Sequence, residues 1–396
     1  MRPPLSAYLD CSATTPVAAE VLETMQRVQA EAWANPSSLH GFGYAAAEQL
    51  ERSRQELAEL LGAIDHRLVF TSGGSESIHL ALLGVARSLG RPGRLLISSV
   101  EHPATRAAAE QLQQQGWQLD MVGVDRLGLL DLGQLEQQLR QPTDLVSLIW
   151  GQSEVGSLQP IEAAGRLCRQ AGALLHLDAV QVVGHLPIQL SALPVDLLSL
   201  TAHKLMGPRG IGALLLGPGV QVQACIGGGG QEGGLRAGTE AVPLAAGLVR
   251  AVALASERLA AHGGSDPIGP LRDQLLERLL VLPGLELSGP DPRCPAPRAA
   301  MTLQRLPHHL SLLVSNSAAE PVSGRRLVQS LWQQGFAASS GSACSSGRQA
   351  PSPVLLAMGY TPEQASSSLR LSLGPWHNTS VLAQLPAALE RARSCL

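Results

Sequence analysis

One residue is singled out by the chemistry that its side chain allows. Lys204, within SLTAHKLMGPRG (199–210), is the only lysine among the 29 basic residues of a 396-residue chain. Arginine and lysine serve almost equally well as solvated charges, but only a lysine amine readily loses its proton and attacks a carbonyl. The sequence therefore indicates a reactive amine at this position, with a stray surface charge as the alternative.

Polar groups follow four apolar runs that are typical of buried strands. A glycine turn, TSGGSES (71–77), opens a helix after the first run, and such a turn binds anions through free N–H groups and the helix dipole. Another run ends in a carboxylate, which is costly to bury unless it has a cationic partner. Taken singly, each feature has an ordinary structural explanation. The other residues at these ends are Glu101, His102, Asp178, Gln181, Thr201 and His203.

Together these strand ends match the needs of pyridoxal phosphate. The aldehyde of this cofactor requires an amine for a Schiff base, and its phosphate requires an anion site. Its pyridine nitrogen requires an acid that keeps the ring protonated, so that the ring can accept electrons. Lys204, the glycine turn and Asp178 supply these three groups.

The elements that must position these groups alternate between strand and helix from about residue 67 to 216. The strand candidates are near-continuously apolar, as in a sheet covered on both faces. They are RLVFTS, RLLISSV, QLDMVGV, LVSLIW, ALLHLD and VDLLSL. This alternation predicts an α/β fold with a mainly parallel sheet and helices on both faces, and ligands bind beyond the carboxyl ends of such strands.

The length predicts about two domains. Residues 245–262 read as one long helix, and the following GGSDPIGP suggests a boundary. We expect a large cofactor-binding domain over 15–262 and a smaller α+β domain formed by 1–14 and 263–396.

Composition excludes several classes of protein. A net charge of −3 and 3% aromatic residues disfavour nucleic-acid partners, and the sequence contains no long apolar run that predicts a membrane span. There is no apolar leader resembling a signal peptide. Six scattered cysteines without a CxxC pair predict no metal site and a reducing, cytoplasmic location.

The whole chain resembles the cysteine desulfurases, pyridoxal-phosphate enzymes of the class V aminotransferase group. The resemblance implies the type I pyridoxal-phosphate fold, a homodimer with each site near the subunit interface, and L-cysteine as substrate. The motifs that carry it are YLDCSATTPV (8–17), NPSSLHGFG (35–43), FTSGGSES (70–77), EHPA (101–104), SEVGSLQPI (153–161), HLDAVQ (176–181), AHKLMGPRGIGAL (202–214), GGGQEGGLRAGT (228–239), SSGSACSSG (339–347) and LRLSLG (369–374).

The resemblance also implies a role for each matching residue. Lys204 would form the Schiff base, Asp178 would pair with the pyridinium nitrogen, and His102 would stack on the ring and move protons. The remaining assignments are Gln181 to the phenolic oxygen; Gly74, Ser75, Thr201 and His203 to the phosphate; Thr239 to the partner subunit's phosphate; and Asn35 and Arg370 to the substrate carboxylate. In SSLRLSLG (367–374), the alternation of leucines independently predicts a strand that directs Arg370 away from the core.

Cys344 matches the nucleophile that takes sulfur from the substrate as a persulfide. By composition alone it is a cysteine in a Ser/Gly loop, over about residues 336–350. The resemblance places it in the group with a long mobile catalytic loop. Such a loop suits a thiol that must reach the cofactor and then deliver sulfur to another protein, such as an iron–sulfur scaffold.

Some positions depart from the family pattern. Gln152 and Ser153 replace two asparagines, of which the second contacts the cofactor's ring oxygen; Cys11 replaces a tyrosine, and Gly233 an arginine. These changes bear on the rate and on the sulfur-acceptor partner more than on the reaction type. Three alternatives stay open: a selenocysteine or cystine C–S lyase on the same fold, an aminotransferase, and an inactive cofactor-binding scaffold, which only Ser153 suggests.

Overall fold

The computed structural model describes residues 4–294, 304–341 and 350–396, which contain two sheets. The strands are β1 (Arg67–Thr71), β2 (Arg94–Ser98), β3 (Gln118–Val122), β4 (Leu145–Ile149), β5 (Leu174–Asp178), β6 (Leu197–Thr201), β7 (Gly212–Leu216), β8 (Leu285–Leu287), β9 (His309–Val314) and β10 (Ser368–Ser372). The helices are α1 (Ala19–Glu31), α2 (Gly41–Leu60), α3 (Gly74–Leu89), α4 (Pro103–Gln114), α5 (Leu132–Gln138), α6 (Ile161–Ala171), α7 (Val242–Ala260), α8 (Ile268–Leu280), α9 (Gly324–Gln333), α10 (Pro353–Ala357), α11 (Pro362–Ser366), α12 (Thr379–Leu382) and α13 (Leu385–Ser394).

The larger sheet has seven strands in the order β1-β7-β6-β5-β4-β2-β3. Four neighbouring pairs between β6 and β3 are parallel, while β7 runs antiparallel to both β6 and β1. The predicted α/β fold is confirmed, and each of the six predicted runs forms a strand. The expected burial of QLDMVGV is wrong: within β3 only Val122 is buried, because β3 is an edge strand.

Apolar side chains cover both faces of this sheet. One core lies under α1, α2 and α7, and a second core packs α3 and α4 against the other face. The predicted helix at 245–262 is α7, which begins three residues earlier, at Val242. Pro243 accounts for the earlier start, since proline fits the first turn of a helix, where its missing N–H is not needed.

The smaller sheet is antiparallel, in the order β10-β9-β8, and has its own core. Leu369 and Leu371 of β10 are fully buried in that core. Arg370 points to the opposite face, as the leucine alternation predicts, but it is also buried. The division into two domains stays a prediction.

An N-terminal strap, residues 8–15, connects the smaller sheet to the end of β6. Asp10 bridges to Ser372 of β10, and the amide of Leu9 donates to the carbonyl of Ala337. At its other end, the amide of Thr15 donates to the carbonyl of His203. The strap thus joins Arg370 and Lys204, which lie on different elements.

A glycine-rich turn over Gln231–Gly234 holds Glu232 with a positive φ of 51°. This backbone is strained for a residue with a side chain. Two hydrogen bonds from the Arg54 guanidinium, 2.8 and 3.1 Å, and one from the amide of Phe70 hold the Glu232 carboxylate in place.

Among the described residues, no helix combines the length and apolar character needed to cross a bilayer. In the same part of the chain, no group of three or more His, Cys, Asp or Glu side chains could hold a metal ion.

The Arg54–Glu232 pair gives a stability prediction. Glu232→Ala should lower the free energy of unfolding by about 3 kcal/mol, because it removes the buried carboxylate that pairs with a largely buried guanidinium and leaves only the exposed Glu51 as an ion-pair partner. Glu48→Ala, which removes an exposed pair with Arg52, should cost less than about 0.5 kcal/mol. Urea unfolding measures both, and equal losses would show that the turn does not depend on this ion pair.

Candidate active site

Lys204 lies in a tight turn that directly follows β6. Its amine donates to the carbonyls of Ser12 and Ala13 in the strap, at 2.5 and 2.8 Å. Met206 has a positive φ of 65°, and its amide is held by the Thr15 hydroxyl at 2.8 Å. The strap therefore fixes both the amine and the strained turn that carries it.

Asp178 ends β5, the central strand, and is 3% exposed. Within the described residues, its carboxylate accepts a hydrogen bond from the amide of Val180, at 3.0 Å. Burial raises the pKa of this carboxyl, while the nearby His102 and Lys204 oppose the shift. A buried carboxyl with so few donors suits a cationic N–H partner.

Gln181 follows Asp178 by three residues and donates to the carbonyl of Ser12 at 2.9 Å. The same Ser12 carbonyl oxygen also accepts a hydrogen bond from the Lys204 amine. The strap carbonyl thus links the two side chains that sequence analysis assigned to the aldehyde and to the phenolic oxygen.

His102 follows β2 and caps the N-terminus of α4. Its Nδ1 accepts a hydrogen bond from the amide of Ala104 at 3.1 Å, so this nitrogen carries no proton. Burial lowers the pKa of His102, against the opposing effect of Asp178. The ring is therefore neutral, and its Nε2 can exchange a proton.

Glu101 is buried next to His102. Its carboxyl accepts from the Ser98 hydroxyl at 2.5 Å and from the amide of Ile149 at 2.8 Å. Burial, with a further contribution from Asp178, raises the pKa of Glu101 to about 8 despite these two donors. Glu101 thus remains protonated at neutral pH.

The expected anion cradle combines the start of α3 with the end of β6. Gly73 has a φ of 153°, and a Cβ at Gly74 would lie 2.7 Å from the Val180 side chain. The first turn of α3 leaves backbone N–H groups available to an anion, and the Thr201 hydroxyl lies 3.7 Å from a Cβ built on Gly73. Ser75 is exposed in that turn.

His203 precedes Lys204 and contacts the Thr14 hydroxyl at 3.2 Å through Nδ1. Burial and the neighbouring cations Lys204 and Arg209 lower the pKa of His203 to about 4. A neutral His203 can donate to a phosphate without adding charge.

Arg370 lies on the other side of the strap and is 4% exposed. Its guanidinium donates to Asp10 Oδ1 at 2.7 Å and to the carbonyl of Ser153 at 3.1 Å. His309 Nε2 also contacts that carbonyl, at 3.1 Å. Ser153 is therefore tied through its backbone oxygen.

Three predicted site residues are not joined to this cluster. Asn35 and Thr239 are exposed, and no hydrogen bond among the described residues links them to Lys204 or Arg370. Cys344 lies outside the described residues. Its role stays a prediction, as do the roles of the other site residues.

Sequence analysis missed the strap as a part of the site. Ser12 and Ala13 contribute carbonyls, and Asp10 contributes a carboxylate. A backbone acceptor has no residue-type signal. Asp10 did have one, since YLDCSATTPV was among the motifs singled out.

The sequence of this chain is similar to those of known proteins over nearly its whole length. The family model "Aminotransferase class-V" matches residues 7–382. "Cysteine desulfurase IscS" of Methanosarcina thermophila is 36% identical over 98% of this chain and 93% of that protein. The chain belongs to the cysteine desulfurase family. Another cysteine desulfurase, from Pectobacterium carotovorum subsp. carotovorum, is 38% identical over 93% of this chain and 88% of its own length.

Solved structures agree with membership in the cysteine desulfurase family. A "NIFS-like protein" has a TM-score of 0.87 and 32% identity, covering 99% of this chain and 100% of its own. "SspA in complex with cysteine" has a TM-score of 0.79 and 30% identity, covering 94% of this chain and 100% of its own. The predicted family and type I fold are thereby confirmed, and enzymes of this family use pyridoxal phosphate.

The buried Glu101 predicts a pH dependence for this cysteine desulfurase. The folded protein holds the Glu101 proton more tightly than the unfolded chain, so stability decreases as pH rises from the ordinary carboxyl range toward about 8. Glu101→Gln lacks this proton, so its stability relative to wild type should increase with pH, by up to about 1.4 kcal/mol per pH unit. Urea unfolding of the apoprotein from pH 5 to 8 measures the slope.

Glu110→Gln, at an exposed position of α4, is the matched control and should follow the wild-type slope. Parallel curves for Glu101→Gln and wild type would mean that Glu101 is not protonated in the folded state.

Proposed function

We propose that this protein is a pyridoxal-phosphate enzyme that converts L-cysteine to L-alanine and moves the sulfur onto Cys344 as a persulfide. The observation that carries the proposal is the meeting of Lys204 with the buried Asp178 and His102 beyond the carboxyl ends of the sheet. The balance is simple: the carbon–sulfur bond of cysteine breaks and a sulfur–sulfur bond forms. Cysteine and an enzyme thiol yield alanine and an enzyme persulfide, with no other reactant.

The residues present fit pyridoxal phosphate. A pyridinium N–H supplies the cationic donor that buried Asp178 otherwise lacks, and the start of α3 supplies donors to a phosphate. When bound, the cofactor acts as an electron sink for the substrate's Cα. The holding residues we propose are Gly74, Ser75, Thr201 and His203 for the phosphate, Asp178 for the ring nitrogen, Gln181 and Ser153 for the phenolic oxygen, and Thr239 for the partner subunit's phosphate.

Lys204 is the residue we propose to take the proton from Cα. The carbonyls of Ser12 and Ala13 hold its amine when it is not bonded to the cofactor. Neutral His102, beside Asp178, provides a second proton carrier through its Nε2.

Arg370, together with Asn35, is proposed to bind the substrate carboxylate. The backbone of Ser339 pairs with Arg370, and the carbonyl of Gly341 accepts from its guanidinium at 3.5 Å. Cys344 follows Gly341 by three residues, so the chain allows a separation of at most about 11 Å. This reach supports Cys344 as the nucleophile that attacks the sulfur of a substrate whose carboxylate Arg370 holds.

The expected homodimer is supported by an exposed apolar group on the segment that carries Asn35. Trp33 is 61% exposed, Phe42 64% and Leu39 88%. Large apolar side chains that cluster on a surface mark a protein contact. A second copy covering this segment would bring exposed Asn35 and Thr239 into complete sites.

We further propose that the persulfide passes to an iron–sulfur scaffold or another sulfur acceptor in the cytoplasm. The cysteines of the described residues are free thiols, as a reducing compartment requires. The core of the smaller sheet is built from Ala7, Leu9 and buried residues between 268 and 392, which supports the proposed division into a domain of 15–262 and one of 1–14 with 263–396.

The amine of Lys204 can be tested by the cofactor's visible absorbance. Lys204→Arg should lose the band of the covalently held cofactor and lower turnover at least about a hundred-fold, since arginine stays protonated. Adding Arg209→Lys to this variant returns an amine to the neighbouring loop and should restore neither property. An unchanged band in Lys204→Arg would contradict the assignment.

The thiol of Cys344 can be tested by mass spectrometry. After cysteine treatment, wild-type protein should carry an added sulfur atom at Cys344. Cys344→Ser should bind the cofactor normally and lower alanine formation at least about a hundred-fold, because the nucleophile is gone. Cys395→Ser, at an exposed cysteine, is the control. Full activity of Cys344→Ser on cysteine would disprove the role.

A further inference from the structure

Arg370 already has an anionic partner in this structure. Its guanidinium donates to Asp10 Oδ1 at 2.7 Å, with 5% of the arginine side chain and 21% of the aspartate side chain exposed. Asp10 is held by the backbone on both sides, through the bridge to Ser372 and the amide of Leu9, which donates to Ala337. The carboxylate is therefore a fixed part of the arginine's surroundings.

The remaining donors of Arg370 are only partly used. One terminal nitrogen donates to the carbonyls of Ser153 and Gly341, at 3.1 and 3.5 Å. The buried Nε has no hydrogen-bond partner among the described residues. Arg370 can thus bind a second carboxylate while it keeps Asp10.

A second carboxyl, Glu154, lies close enough to Arg370 to interact with it electrostatically. It accepts a hydrogen bond from the Ser352 hydroxyl at 2.6 Å. Burial raises the pKa of Glu154, against the opposing effects of Ser352, Arg370 and Arg106. Asp10 is therefore the carboxylate in direct contact with the guanidinium.

We propose that Asp10 sets the affinity of the enzyme for amino-acid carboxylates by competing with them for Arg370. A substrate bound to Arg370 shares one positive charge with Asp10, and the two carboxylates repel each other. The product alanine carries the same carboxylate as cysteine, so the repulsion weakens product binding too. Asp10 thereby favours release at the expense of tight substrate binding. The inference rests on the proposed role of Arg370.

Asp10→Asn tests this inference, because the amide oxygen can still accept from Arg370 while the negative charge is lost. We expect L-alanine to bind about ten-fold more tightly to the cofactor-loaded variant, as removal of a nearby like charge in a partly buried site implies. L-alaninamide, which has no carboxylate, should bind as it does to wild type. Titration of the visible absorbance measures both affinities without turnover, and the KM for cysteine should fall with the alanine dissociation constant.

Asp120→Asn is the matched control. Asp120 pairs with the buried Arg94, the first residue of β2, at 2.8 Å. Loss of the Asp120 charge should leave alanine binding unchanged. If Asp10→Asn does not fold, Asp10→Ser provides the same test, because it also removes the negative charge. Unchanged or weaker alanine binding without the Asp10 carboxylate would overturn the inference, as would an equal change for alaninamide.

Arg370→Gln separates the inference from the function on which it rests. If Arg370 binds the carboxylate, this variant should lose affinity for alanine and keep its affinity for alaninamide. Equal binding of alanine to Arg370→Gln and wild type would refute the proposed role of Arg370. If Arg370→Gln loses affinity for alanine as expected but Asp10→Asn shows no gain, the competition alone is refuted.

Discussion

The site is built around a carboxyl group buried at the end of the central strand. Asp178 costs free energy in that position unless a positive charge faces it. His102 does not provide one, because burial lowers its pKa, whereas the nearby Lys204 amine opposes the rise in the pKa of Asp178. Glu101 avoids adding a second negative charge by keeping its proton. In the site that we propose, a bound pyridinium would add a positive charge that faces Asp178.

The strap connects Lys204, at the end of the large sheet, to Arg370 in the small sheet. Its carbonyls hold the Lys204 amine, its Asp10 carboxylate holds Arg370, and its backbone pairs with Ser372. Lys204 belongs to the seven-stranded sheet and Arg370 to the three-stranded sheet. A movement of one sheet against the other would therefore change both contacts together. The distance between Lys204 and Arg370 therefore depends on a few hydrogen bonds of the strap.

A buried arginine stabilises the loop that carries Ser153. Arg305 donates to the carbonyl of Val155 at 2.8 Å and to the carbonyls of Pro290 and Ser288. No carboxylate of the described residues forms an ion pair with Arg305, and burial, with a further contribution from Arg272, lowers its pKa to about 9. Carbonyl dipoles take the place of a counter-ion, and they fasten the loop after β4 to the segment after β8.

The sequence was sufficient to predict the elements that depend on a local pattern of residues. Apolar runs predicted six strands of the large sheet, and the rule for parallel sheets predicted that Asp178 and Lys204 lie at the same edge. Burial of β3 was predicted wrongly, because an apolar run carries no information on whether a strand has neighbours on both sides. The contacts of the strap were not predictable, since Ser12 lies 192 residues from Lys204 and acts through its carbonyl.

Residues 152 and 153, which depart from the family pattern, both contribute to the hydrogen bonds of the loop after β4. Gln152 accepts from the amides of Glu154 and Val155 and donates to the carbonyl of Val100, so its side chain organises the loop. Ser153 is fixed through its carbonyl and has only a short hydroxyl to offer a ligand. A side-chain amide has two N–H donors, and Gln181 uses one of them on Ser12. We propose that its second N–H donates to the cofactor's phenolic oxygen. The strap carbonyl of Ser12 contacts both Gln181 and Lys204.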